Sequence, residues 1–134
     1  MAVLEEGLFT YLSTYAGLVS LISTRVYPFR VPQSATMPCM TYQRVDTPRV
    51  LTHDTSGTGS DLAHPRFQFD AWAATYSSAK AINDQIRAAL NGKKSTIATG
   101  VSINAAMVSD EHPSFEPETN LYRCSSDYII WHND

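Results

Sequence analysis

The chain has 134 residues, 43% of them hydrophobic, and a formal net charge of −3. That size and apolar content make one ordinary domain with a core of its own, which excludes wholesale disorder and any need for disulfide or metal staples. The mildly acidic balance argues against a broad basic face of the kind that binds nucleic acid, and no apolar run approaches the ~20 residues of a membrane span.

The opening residues lack a basic stretch followed by an apolar run, so no export leader is expected and the chain reads as soluble and made in a cytoplasm. Leu4, Leu8, Tyr11, Leu12 and Tyr15 recur at three- and four-residue steps and predict a first helix. Glu5 and Glu6 sit in its first turns, where negative charge suits the helix dipole, and Gly17 is expected to end it. A short apolar turn or helix follows over 18–22, then a brief extended piece, Arg25-Val-Tyr-Pro, and an irregular connection bracketed by Pro32 and Pro38.

From Cys39 to Val45 the pattern alternates as a strand does, with Met40 and Tyr42 on one face and Cys39, Thr41 and Val45 on the other. A second strand over 65–73 puts Phe67, Phe69 and Ala71 on the core face and Arg66, Gln68, Asp70 and Trp72 on the opposite one. Between them, residues 51–63 form a polar, glycine-containing stretch. Hairpin loops usually need about 2–5 residues, so a connection this long reads as an arm that reaches another molecule.

Thr75 or Ser77 is expected to cap a second helix whose apolar stripe is Ala79, Ile82, Ile86, Ala89 and Leu90. Asn91-Gly92 ends it, with Lys93 and Lys94 in a solvated turn. Residues 100–108 read as a further strand, 109–120 as a second loop, and 121–132 as a long final strand. Cys39 and Cys124 both fall in strand patterns and read as buried thiols. The fold class that follows is α+β: a mainly antiparallel sheet of four to five strands, two helices packed on one face, and a long arm between two strands, all in one domain spanning the chain.

No pattern of catalytic residues emerges. His53, Asp54, Asp61 and His64 gather in or beside the arm, but their spacing matches no metal motif and the glycines between them give no rigid frame. Glu111, Glu116 and Glu118 crowd the second loop, where prolines favour a solvated turn over paired carboxylates. Cys39 has no local partner to activate it. The glycines of 55–60 lack the lysine and following helix of a phosphate loop. No cofactor and no metal are expected.

Four stretches, in order, carry a resemblance: Arg25-Val-Tyr-Pro-Phe-Arg-Val-Pro through Pro38-Cys-Met-Thr-Tyr, the polar arm, Arg66-Phe-Gln-Phe-Asp-Ala-Trp-Ala-Ala-Thr-Tyr, and Tyr122-Arg-Cys-Ser-Ser-Asp-Tyr-Ile-Ile-Trp. Together they resemble the tail-completion, or tail-terminator, proteins of long-tailed bacteriophages, a family similar in fold to the terminator of phage lambda. The resemblance implies a non-enzymatic virion protein at the head–tail interface, made in the bacterial host cytoplasm. It would cap the finished tail tube as a hexameric ring, with tail-tube protein and a head-completion or connector protein as partners and DNA passing through the lumen without specific binding. A head-closure protein of the same region is the alternative role, and a small-ligand-binding or hydrolytic domain is the more distant one. A closed ring needs two different patches that meet head to tail. The expected ones are the arm with Arg49, Thr52, His53, Asp54 and Asp61, and the strand face of Arg66, Gln68, Asp70 and Trp72, with Trp72 as the anchor.

Overall fold

A computed structural model of the chain describes residues 3–23, 25–32, 36–46, 62–94, 96–98, 101–103 and 105–133. The expected α+β fold is present, with three helices and a mixed sheet. Helices α1 (Val3–Thr14) and α2 (Ala16–Ile22) precede strand β1 (Val26–Pro28), β2 (Cys39–Asp46), β3 (Leu62–Ala63) and β4 (Arg66–Ala73). Helix α3 (Tyr76–Leu90) follows, then the small β5 (Thr96–Ala98) and β6 (Val101–Ser102) pair, and the long β7 (Ala105–Glu116) and β8 (Leu121–Asn133).

Helix α3 starts where a cap residue allows it: the Thr75 side chain accepts the Ser78 N–H at 3.3 Å. It stops at Asn91, followed by Gly92 at φ 80, a backbone setting that costs glycine nothing. Its stripe of Ala79, Ile82, Ile86, Ala89 and Leu90 is buried as expected, joined by Asn83. The first helix ends earlier than Gly17. That glycine lies inside α2, where a Cβ would stand 2.0 Å from Gln85 Oε1 of α3. The Gln85 side chain of α3 occupies the space a side chain at 17 would take, and the glycine ends no helix.

The main sheet runs β1-β2-β4-β8, with β7 on the far side of β8. The β2–β4, β4–β8 and β7–β8 pairs are antiparallel, and β1 joins β2 in parallel. Strands β3 and β4 form one line along β8. Ala63 faces His132 and Arg66 faces Ile129, and the Ile130 N–H bonds the Pro65 carbonyl at 3.0 Å between them. The last two residues of the expected arm, Leu62 and Ala63, thus belong to the sheet.

One face of the sheet carries the core. Met40, Phe67, Phe69, Ala71, Cys124, Tyr128 and Ile130 are buried there under the helical layer, which contributes Leu4, Leu8, Leu12, Leu18, Ile22 and the α3 stripe. Phe69 meets Tyr128 edge-on at 5.5 Å, a favoured aromatic geometry. Tyr11 ties α1 to the end of α3 by donating its hydroxyl to the Ala89 carbonyl at 2.8 Å.

Two sequence expectations fail in this region. The strand expected over 100–108 is broken into β6 and the start of β7, and the loop expected over 109–120 is mostly strand: only residues 117–120 turn. β7 is an edge strand, and an edge strand shows little burial and tolerates proline. Its open edge is blunted. The Ala106 carbonyl accepts the Gly92 N–H at 2.7 Å. The Val108 N–H donates to Asn91 Oδ1 at 3.1 Å, and the Glu111 N–H to Asp110 Oδ1 at 2.9 Å. Pro113 has no N–H to offer, and the pairing slips between Val108 and Asp110. Addition of a foreign strand at this edge is thereby disfavoured.

Candidate partner-binding face

Because strand side chains alternate, burying Phe67, Phe69 and Ala71 forces Arg66, Gln68, Asp70 and Trp72 to the other face. No described helix covers that face. The register builds three rows across it. Cys39, Trp72 and Arg123 form one row, Thr41, Asp70 and Ser125 the next, and Gln43, Gln68 and Asp127 the third.

Side-chain bonds link the rows to one another. Trp72 is half-buried; its indole N–H donates to Thr41 Oγ1 at 3.2 Å, and the Arg123 guanidinium lies 5.3 Å over its ring. Arg123 is held in turn by Ser114 Oγ at 3.2 Å and the Glu116 carboxylate at 3.4 Å. Asp70 is buried, and its carboxylate accepts the Ser125 hydroxyl and, at 3.1 Å, the Gln68 amide. The middle of the face is a satisfied polar network, stiff because each member has a partner.

Over this floor lies a groove of about 590 Å³. One lip is the connection after β1, with Phe29, Arg30, Val31 and Pro32; the other is Thr119 and Leu121 at the β7–β8 turn. Met37 closes the wall, and Gln43, Gln68, Asp70, Trp72 and Arg123 form the floor. The lips are largely apolar, whereas Gln68, Asp70, Trp72 and Arg123 of the floor already have partners within the chain.

The residues weighed and set aside as catalytic or metal-binding lie apart. Cys39 is buried, its thiol is pushed up to about 11 by burial against the opposing pull of Arg25, and it donates weakly to Met37 Sδ at 3.6 Å. A thiol held protonated at neutral pH is a poor nucleophile. Glu111 turns toward α3, where Arg87 holds it at 3.2 Å and Asn83 at 3.3 Å, while Glu116 pairs with Arg123. The three loop glutamates therefore do not converge. His64 stacks on Trp131 at 4.3 Å. No group of three potential metal ligands occurs among the described residues. Lys93 lies 5.1 Å over the Tyr11 ring instead of standing in water alone.

Of the residues expected at an interface, Gln68, Asp70 and Trp72 share this face, and Arg66 sits at its end, 3.9 Å from the Asp46 carboxylate. Arg49, Thr52, His53, Asp54 and Asp61 lie outside the described residues. Sequence reasoning missed Arg123, Phe29 and Arg30. The alternation of the last strand puts Arg123 on the same face as Ser125 and Asp127, which was a usable signal. Nothing local in the sequence announces the position of Phe29.

A family model described as tail completion protein gp17 matches residues 6–133. No curated protein matches the sequence. A chain from the virion of native gene transfer agent (GTA) particle superposes with a TM-score of 0.73 at 16% identity, covering 98% of this chain and 95% of that one. At that identity the likeness is one of fold. With the family model covering almost the whole chain, and with a structural match over the same span, this chain belongs to the gp17 family of tail completion proteins and is a structural component of the virion tail.

Proposed function

We propose that the chain caps the finished tail tube as one subunit of a hexameric ring and presents the opposite side of that ring to the head connector. DNA passes through the lumen without specific binding. The observation that supports this reading best is the uncovered sheet face: a half-buried Trp72 under Arg123, on a floor stiffened by Asp70 and Ser125. Rigid aromatic and arginine side chains of this kind concentrate interface energy. The blunted β7 edge adds to it, because copies that cannot add a strand there are left with the faces and the short β1 edge. The reading extends, on the sequence alone, to Arg49, Thr52, His53, Asp54 and Asp61 as the second patch of a head-to-tail contact.

A non-catalytic role agrees with the floor of the groove, where the Asp70 carboxylate, the Trp72 indole and the Arg123 guanidinium are each committed to a neighbour in the same chain. The test is end-binding. Polymerised tail-tube protein is mixed with the purified chain and imaged by negative stain. A ring at one end of the tube is expected. Binding to the portal-side connector with bare tube ends would assign the chain to head closure, and binding to neither would contradict both roles.

A further inference from the structure

Phe29 is the most exposed large apolar side chain described, at 69%. Its backbone is equally unusual. Phe29 sits at φ 65, and the Arg30 N–H closes on the Pro28 carbonyl at 2.7 Å. That is the strained form of the three-residue γ-turn, in a region of φ that L side chains seldom occupy. The turn is pinned from the other side as well, since the Phe29 N–H donates to the Tyr42 carbonyl at 2.8 Å. The isolated fold thus bears two costs at one residue, a left-handed backbone and an aromatic ring in water. Glycine would remove both.

We infer that Phe29 anchors the contact through which a second copy of this chain docks on the outer sheet face, with an apolar part of that copy seated between Phe29 and the groove. The inference rests on the ring reading above and deepens it. Strain of this sort persists at places where a partner recovers its cost. The groove selects the kind of occupant. Asp70, Trp72 and Arg123 already have partners within the chain, so the groove offers an incoming group its apolar walls of Phe29, Val31, Pro32, Met37 and Leu121. The charged and aromatic polar groups of the floor are taken, whereas an apolar protein segment fits the walls. Arg30 on the same lip makes no ion pair among the described residues, and an acidic chain of net charge −3 supplies carboxylates to it. Among its exposed acids, Glu6 and Glu118 likewise make no ion pair among the described residues. Charge complementarity between Arg30 and the Glu6 and Glu118 carboxylates of a second copy favours a copy of the chain as the occupant.

The test exploits opposite signs. Phe29→Gly relieves the turn, so its melting temperature should equal or exceed that of the unaltered chain; a Phe29 with no role at all predicts the same. Only an anchor predicts that Phe29→Gly also weakens self-association at least tenfold, read by mass photometry across a dilution series with and without tail-tube protein. Phe29→Tyr keeps the aromatic knob and should assemble within about threefold of the unaltered chain. If the unaltered chain assembles and Phe29→Gly assembles equally well, the anchor is refuted while the ring stands. If the unaltered chain never self-associates under either condition, both are refuted. A drop in melting temperature for Phe29→Gly would show that the ring supports the fold from within, and would also overturn the inference.

Discussion

Replacing Asp70 with alanine probes the floor of the partner face most sharply. Asp70 is 7% exposed and Ser125 1% exposed, and the Ser125 hydroxyl has the Asp70 carboxylate as its acceptor. Removing that carboxylate strands a buried hydroxyl and frees the half-buried Gln68 amide to turn toward water. An unsatisfied buried donor costs about 1–3 kcal/mol, and the lost bonds are charge-assisted, so a total of about 2–4 kcal/mol is expected. For a domain of this size that corresponds to a fall in Tm of about 7–14 °C. The assay is urea unfolding of Asp70→Ala, Ser125→Ala and the double variant, with the slope checked for constancy. Removing both partners should be milder than the sum of the single changes, with a coupling of about 1 kcal/mol or more. An Asp70→Ala chain within about 0.5 kcal/mol of the unaltered protein, or a cycle with no coupling, would refute the reasoning that this network stiffens the face.

Restoring β7 as an open edge with Asp110→Ala plus Pro113→Val should leave circular dichroism unchanged but raise light scattering at high concentration; a variant as dispersed as the parent would contradict the blunted-edge account. Cys39, raised by burial from an ordinary value near 9 to about 11, is protonated in the folded chain, so its contribution to stability is held below pH 9 and lost as pH rises through 11. Thiol labelling of Cys39 in the folded chain at pH 8 should accordingly be far slower than in urea, and equal rates would exclude the buried, protonated thiol. Replacing residues 52–61 with a short glycine-serine linker should leave a folded chain that no longer assembles. Tails completed at normal length with that variant would remove the segment from the interface.

What was legible in the sequence was whatever a buried face writes into its spacing. β2, β4 and β8 each place large apolar side chains on one face, and the stripe of α3 with its Thr75 cap and Asn91-Gly92 stop is equally regular. β7 lacked that signature because its burial is confined to its first residues, and Asp110, Glu111, His112 and Pro113 read as a loop when only one edge of the strand is paired. Gly17 reads as a terminator because a glycine at a helix end and a glycine in the first turn of the next helix look alike in sequence. The parallel β1–β2 pair was hidden too, since three residues carry no period. At the partner face, alternation alone placed Gln68, Asp70 and Trp72 together. It did not foretell that Asp70 is committed to Ser125, or that Arg123 covers Trp72, because those partners come from a strand more than fifty residues away.

Whether the chain works as a building block is decided by the mass of its assembly. Native mass measurement should find six copies of the 14.8 kDa chain, alone or once tail-tube protein is added. A chain that stays single under both conditions would contradict it.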